Sequence, residues 1–185
     1  MLSQRPLIKV AVVMRRERID GPMSRWQTWR WVLEDVVMQE EGFGSSPRLL
    51  FKNANCERWL HPDYSVELFK DDAEGYYLNA TTTAPCWFVL WRMEEEAVAG
   101  EEPAACPVMV SLSYYDAGRW LDAQETVEQV ALPNEVVAWL KAFVDEHYML
   151  EPRNRKRPES FRSLTDRFGN PASISTEKPG GRGHG

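Results

Sequence analysis

Short runs of β-branched and aromatic residues, separated by turn residues, recur along much of the chain. Such residues favour extended strands, and consecutive strands that are joined by short connections pair antiparallel. The run at 26–37 also fits one face of a helix, but its Trp, Val and Thr content favours a strand. Strands are therefore predicted at 7–14, 26–37, 49–51, 85–92 and 107–114.

A β-hairpin is predicted at 65–81, where two β-rich runs flank the polar connection 71–75. This connection holds three carboxylates, those of Asp71, Asp72 and Glu74, together with one glycine. Neighbouring acids can bind a divalent cation or share a proton, so these three are candidate catalytic residues. The alternative interpretation is a solvated polar turn, which uses the same residue types.

Two helices are predicted in the C-terminal half of the chain. Asp116 can act as the N-cap of a short helix that ends near Leu121. Pro133 and Asn134 provide a stop after the preceding segment and an N-cap for a second helix, in which apolar residues recur at helical spacing. Between the two helices, residues 125–132 alternate as an edge strand. The predicted fold class is therefore α+β, with an antiparallel β-sheet or partly open barrel and one or two helices in the C-terminal half.

The composition changes sharply after residue 150. Residues 151–185 are rich in Arg, Pro, Ser and Gly, and they carry eight Lys or Arg against four acids. Since the whole chain has a formal charge of −6, the first 150 residues carry −10. We predict a single α+β domain over 1–150 and a disordered basic tail over 151–185. The acidic charge of the domain disfavours binding of nucleic acid and of anionic membranes.

The N-terminal segment lacks the pattern of a targeting signal. Its longest apolar run, 10–14, is shorter than the ~20 residues of a membrane span and the roughly 7–15 apolar residues of a signal peptide. Arg15 and Arg16 form a twin-arginine pair, but charged residues follow where an apolar stretch is required. The expected location is the cytoplasm, where cysteines stay reduced.

Three cysteines and two histidines are the soft ligands of the predicted domain. Cys56, Cys86 and Cys106 are widely spaced and form no CxxC pair, so no metal and no cofactor are expected. His147 lies near the last turn of the second predicted helix, where a cation interacts favourably with the helix dipole. His61 lies in a predicted loop and is the candidate catalytic histidine, with a simple hydrogen-bonding role as the alternative.

The chain contains eight tryptophans. Indole platforms that stack nucleic-acid bases usually lie in a basic groove, so the acidic domain favours core packing and protein contacts instead. Indoles are also enriched at interface hot spots. Trp26, Trp29 and Trp59 lie near polar loops and are the predicted partner contacts. A basic cluster in the tail is a further candidate contact, with a solvated linker as the alternative; it consists of Arg153, Arg155, Lys156 and Arg157.

Several segments together carry a resemblance to a known family. They are VAVVMRR at 10–16, WQ at 26–27, RW at 30–31, EGYYLN at 74–79, FVLWR at 88–92, YYDAGRWLD at 114–122, AWL at 138–140 and FVDEHY at 143–148. Over about residues 7–168 the chain resembles an uncharacterised bacterial family of unknown function, whose members are often labelled molybdopterin-guanine dinucleotide biosynthesis protein A. Genes of this family often lie near those of formate dehydrogenase subunits and their accessory proteins. The resemblance implies a role in making or delivering that molybdenum or tungsten enzyme.

The chemistry named by this label requires features that the sequence lacks. A guanylyltransferase needs a glycine-rich loop with a basic residue after the first strand, to hold the phosphates of GTP. The residues at 15–20, RRERID, contain no glycine, and no βαβ alternation follows them. We therefore expect a non-catalytic accessory protein that binds a formate dehydrogenase subunit or its maturation factor. The alternative is an enzyme of molybdenum cofactor biosynthesis that uses His61 and the three carboxylates of 71–75.

Overall fold

The computed structural model describes residues 4–95 and 101–149. Within these ranges the strands are β1 (Leu7–Arg18), β2 (Trp29–Met38), β3 (Arg48–Lys52), β4 (Cys56–Glu67), β5 (Cys86–Met93), β6 (Ala105–Ser111) and β7 (Thr126–Ala131). The α-helices are α1 (Ala73–Ala80), α2 (Tyr114–Asp122) and α3 (Asn134–His147). The predicted α+β class is confirmed, with helices α2 and α3 in the C-terminal half.

The strands form two antiparallel sheets, with the orders β2-β1-β4-β3 and β6-β5-β7. Side chains alternate along β1, as the two-residue period of a strand requires. Val10, Val12 and Met14 join the main core, which also contains residues of β5 and α3. Ala11 and Val13 pack on the opposite face, in a smaller cluster. β7 lies at the edge of its sheet, as its alternating pattern predicts.

Two polar contacts join the sheets. The Glu128 carboxylate of β7 accepts hydrogen bonds from the Leu33 amide of β2 at 2.9 Å and from the Trp91 indole of β5 at 2.6 Å. At the other contact, the Tyr64 hydroxyl of β4 donates to the Pro107 carbonyl of β6 at 2.8 Å. These contacts place β4 and the first residues of β6 side by side, which forms the site described below.

The predicted hairpin at 65–81 is wrong in its second arm. β4 ends at Glu67, a 3-10 turn follows at Lys70–Asp72, and α1 then occupies Ala73–Ala80. The Tyr76 ring is 2% exposed and packs edge-on against the Phe143 ring of α3. This burial against α3 favours the helix over the strand propensity of two consecutive tyrosines.

The residues around His61 form a strand and not the predicted loop. They lie in the middle of β4, which is hydrogen-bonded to β1 on one side and to β3 on the other. A proline in a central strand removes a backbone donor, and this is why the pattern at 59–64 does not indicate a strand. The chain accommodates Pro62 with a register shift between Val10 and Val12, and Asp63 adopts a φ of 71°.

Both predicted N-caps are displaced in the structure. α2 begins at Tyr114, because the Ser113 hydroxyl and not the Asp116 side chain is the cap: it accepts a hydrogen bond from the Asp116 amide at 3.4 Å. α3 begins at Asn134 with Pro133 at the N-cap position, so Asn134 is the first helical residue. These shifts change the ends of the helices but not their existence.

Gly75 of α1 lies against the start of α2. A Cβ atom at this position would lie 2.8 Å from Asp72 Oδ1 and closer still to the hydroxyl of Ser113, which is fully buried. We expect Gly75→Ala to lower the free energy of unfolding by about 2 kcal/mol, because the added methyl group displaces this helix cap. Urea unfolding monitored by tryptophan fluorescence measures the change.

The matched control is Gly118→Ala on α2, where the added Cβ would meet nothing within 4 Å. Since alanine is favoured over glycine in a helix interior, this variant should be more stable by about 0.5–1 kcal/mol. A gain of stability in both variants would contradict the close approach at Gly75.

The predicted disordered tail over 151–185 and the domain boundary at residue 150 lie outside the described residues. Among the helices of the described ranges, none combines the length and the apolar character that a membrane crossing requires.

Candidate functional site

A cavity of about 540 Å³ lies where the first sheet meets the residues that lead into β6. Its size is within the range of about 300–1,000 Å³ that is typical of small-ligand pockets. The first sheet contributes Trp31, Trp59 and His61, and Ala105 and Cys106 of β6 lie on the other side. We call it the His61 cavity. Its charged lining residues are Arg16, Lys52, Glu57, Glu94, Glu101 and Glu102.

The alternation of β4 positions three of the lining residues. Glu57, Trp59 and His61 are two residues apart and therefore share one face of the strand. Their antiparallel partners on β1 are, in order, Arg16, Met14 and Val12. Because Met14 and Val12 belong to the main core, this face of β4 is the one that faces the second sheet.

His61 is buried without a hydrogen-bond partner. Its side chain is only 7% exposed, and neither Nδ1 nor Nε2 has a partner within the described part of the chain. Burial lowers the pKa of His61 from 6.5 to about 4, so the imidazole is neutral at pH 7. A buried polar group without a partner costs about 1–3 kcal/mol, which makes His61 an unusual wall residue.

The two cations of the cavity are both paired. Glu57 Oε1 lies 3.7 Å from Arg16 Nη1 and 3.3 Å from Lys52 Nζ. Arg16 also pairs with Glu102, and its guanidinium carbon lies 4.6 Å from the centroid of the Trp29 ring. Four carboxylates against two paired cations leave the lining with net negative charge.

The cysteine of the cavity is a thiol at neutral pH. Burial, followed by the nearby charge of Glu94, raises the pKa of Cys106. Thiols of this kind are poor nucleophiles because the reactive form is the thiolate. Burial, followed by the charge of Cys106, also raises the pKa of Tyr64 to about 12. At pH 7 the lining residues His61 and Cys106 are therefore uncharged, and so is the nearby Tyr64 of β4.

A neighbouring cavity of about 520 Å³ is lined by Trp29. It shares Arg16, Trp31, Glu102 and Pro103 with the His61 cavity, so the two cavities are adjacent. Trp29 and Trp59, both predicted partner contacts, thus line adjacent cavities, and both are half-buried strand residues.

The candidate carboxylates do not line the His61 cavity. Asp71 lines a separate cavity together with Phe143 and His147 of α3. Burial raises the pKa of Asp72, while a hydrogen bond with Ser113 acts in the opposite direction. Glu74 lies in the first turn of α1 and is half-buried. The structure therefore does not bring His61 together with the three acids. The basic tail cluster Arg153, Arg155, Lys156 and Arg157 lies outside the described residues.

Exposed apolar side chains form a second surface at the edge of the first sheet. Leu49, Leu50 and Phe51 of the edge strand β3 are each 43–47% exposed. The Trp26 indole, in the β1–β2 connection, is 86% exposed. This connection and the β3–β4 turn lie at the same end of the sheet, where the Arg18 amide donates to the Asn55 carbonyl at 2.9 Å. We call Leu49, Leu50 and Phe51 the β3 edge surface, and Trp26 is a second exposed apolar residue, at the same end of the sheet.

Sequence reasoning missed Trp31, Cys106 and Glu57 as site residues. One signal was present: Glu57, Trp59 and His61 alternate at the spacing of a strand face. In the described ranges, no group of three or more His, Cys, Asp or Glu residues is arranged to hold a metal ion.

Comparison with known proteins assigns a family but no activity. No curated protein and no solved structure matches the chain. Residues 9–157 match the family model described as "protein of unknown function (DUF3305)". Because this match spans most of the sequence, the chain belongs to the DUF3305 family.

Proposed function

We propose that this protein is a non-catalytic accessory protein that binds a subunit of a molybdenum-dependent formate dehydrogenase, or a maturation factor of that enzyme. The observation that carries the proposal is the β3 edge surface. Sheets usually protect their edges with charges, prolines or a covering element. Here three consecutive apolar residues, Leu49, Leu50 and Phe51, are exposed on an edge strand. Exposed apolar groups of this kind are typical of protein interaction sites.

The chemistry of the surface indicates the kind of partner. An edge strand offers unpaired backbone groups to an extended segment of another chain, and neighbouring side chains supply specificity. The Trp26 indole is the residue type most enriched at interface hot spots. Arg48 stands at the start of β3, so a partner surface with apolar residues beside a carboxylate fits best. The resemblance to a family encoded near formate dehydrogenase genes supplies the identity of the partner.

The state of His61 supports binding over catalysis. A general acid or base works best with a pKa near the operating pH, and burial lowers that of His61 to about 4. The candidate carboxylates lie outside the His61 cavity; they are Asp71, Asp72 and Glu74. The alternative function, an enzyme of molybdenum cofactor biosynthesis, requires binding of GTP with Mg²⁺. Calorimetry with purified protein tests that alternative directly.

The test of the proposed function is co-purification from the source bacterium grown on formate. The tagged full chain is recovered, and its bound proteins are quantified by mass spectrometry. We expect enrichment of a formate dehydrogenase subunit or of its maturation factor. Trp26→Ala and, separately, Leu50→Lys should each reduce that recovery by about tenfold or more, because hot-spot truncation costs about 2 kcal/mol or more.

The matched control is Leu121→Ala on α2, which removes an apolar side chain that is 56% exposed outside the β3 edge surface. This variant should recover the partner as the unmodified chain does. Recovery of the bait alone, or an equal loss in all three variants, would contradict the proposal. Circular dichroism of each variant separates loss of binding from loss of folding.

A further inference from the structure

We propose that the His61 cavity binds a planar heteroaromatic molecule that carries no negative charge. No residue of the β3 edge surface lines this cavity, and the inference does not depend on the identity of any protein partner. Three observations carry it: the aromatic floor of the cavity, the unpartnered imidazole in its wall, and the sign of its charge.

The floor of the cavity is a single face of the first sheet. Trp31 of β2 is paired with Arg16 of β1, which is paired in turn with Glu57 of β4. Directly paired residues share a face of a sheet, and Trp59 and His61 follow Glu57 at two-residue intervals. Trp31 and Trp59 therefore project from the same face. A flat aromatic ring lying on this floor can contact an indole in the stacked or edge-on geometry that aromatic pairs prefer.

His61 supplies the polar contact that orients the ligand. A neutral imidazole has one donor and one acceptor nitrogen, and both are unpaired here. Both nitrogens are buried, so the ring must turn about its Cβ–Cγ bond to meet a ligand. Rotation about this bond has a broad energy profile. A heterocycle with a ring N–H or a ring nitrogen can then satisfy one of them, which removes an existing desolvation cost.

The charge of the lining selects against anions. Glu57, Glu94, Glu101 and Glu102 line the cavity, while Arg16 and Lys52 are already paired with carboxylates. A phosphate or carboxylate on the ligand would therefore meet like charge in a partly desolvated space. A neutral ring avoids this repulsion, and a cationic ring gains from the carboxylates and from the indole faces.

The test uses three probes that share one ring system: indole, tryptamine and indole-3-acetate, which are neutral, cationic and anionic at pH 7. The purified full chain carries ¹⁵N in its tryptophan indoles, and Trp31→Phe and Trp59→Phe assign the two cavity signals. We expect indole and tryptamine to shift both signals saturably. Indole-3-acetate should bind at least about tenfold more weakly.

Two histidine variants provide the matched pair. His61→Leu should weaken indole binding by about tenfold, the effect of losing one hydrogen bond. His147→Leu makes the same change in a different cavity and should leave indole binding unchanged. Absence of saturable shifts with all three probes, equal affinity for the anion, or equal effects of the two variants would overturn the proposal. Because no partner protein is present, failure here leaves the accessory function to its own test.

Discussion

Asn79→Ala is expected to lower the free energy of unfolding by about 3 kcal/mol, because it leaves several buried backbone groups without partners. The Asn79 side chain is 1% exposed. Its Nδ2 donates to the carbonyl oxygens of Cys86 and Leu112, each at 2.9 Å, and its Oδ1 accepts from the Cys86 amide at 3.1 Å. The Asn79 side chain thus connects α1 through hydrogen bonds to the start of β5 and to Leu112, which follows β6.

Urea unfolding at pH 7 measures the change, and Asn55→Ala is its matched control. Asn55 is exposed in the β3–β4 turn, and its hydrogen bonds with Arg18 and Asn53 are made by its own backbone. Truncation there should change the free energy of unfolding by less than about 0.5 kcal/mol. If Asn79→Ala were as mild as the control, the three hydrogen bonds would not contribute to stability as the structure implies.

The role of Asn79 also explains why the helix α1 could not be predicted from the sequence. Local propensity at 76–81 favours a strand, since the segment contains two consecutive tyrosines and a threonine. The helix is stabilised by contacts with distant parts of the chain: Asn79 with the Leu112 carbonyl, and Tyr76 with Phe143 of α3. Contacts at such sequence separation leave no local signal, so pattern reasoning chooses the wrong element.

Strands that bury one or both faces were predictable because their apolar pattern is local in the sequence. β1 and β5 contain continuous apolar runs, at 10–14 and 86–91, and the burial of these runs in the core agrees with that composition. The sequence predicted only the end of β4, at 65–67, because Pro62 interrupts the strand, although Glu57, Trp59 and His61 keep the alternation before it. Proline usually avoids central strands, because it lacks a backbone N–H donor. Here a register shift in the strand pairing accommodates the proline.

The candidate site was predictable only in part, because the position of β4 in the sheet could not be predicted. His61 and Trp59 stood out because of their residue types. Their juxtaposition with Trp31 and Cys106 depends on the sheet order β2-β1-β4-β3 and on the contact of β4 with β6. Neither can be derived from spacing along the chain. The sequence analysis also combined His61 with the acids of 71–75 in one hypothetical centre, whereas these acids lie in the 3-10 turn and in α1 and do not line the cavity.

His61 should make the stability of the protein fall as the pH is lowered from about 6.5 to about 4. The pKa of its imidazole is about 4 in the folded chain and 6.5 for a solvated histidine, so the unfolded chain binds the proton first. Stability therefore rises with pH through this window and is lost as the pH falls. His61 should make the free energy of unfolding about 2 kcal/mol lower at pH 5 than at pH 7.

The groups around His61 do not reverse this sign. The carboxylates of Glu57, Glu94, Glu101 and Glu102 would favour a charged imidazole, but Arg16 and Lys52 pair with two of them, and burial is the cause that lowers the pKa. Urea unfolding of the unmodified chain and of His61→Leu at pH 7, 6 and 5 isolates the effect, because every other titrating group is common to both proteins. From pH 7 to pH 5, the free energy of unfolding of the variant should rise by about 2 kcal/mol relative to that of the unmodified chain. A difference that stays constant across this range would mean that His61 binds protons equally in the folded and unfolded chains, and that its burial beside the cavity carries no electrostatic cost.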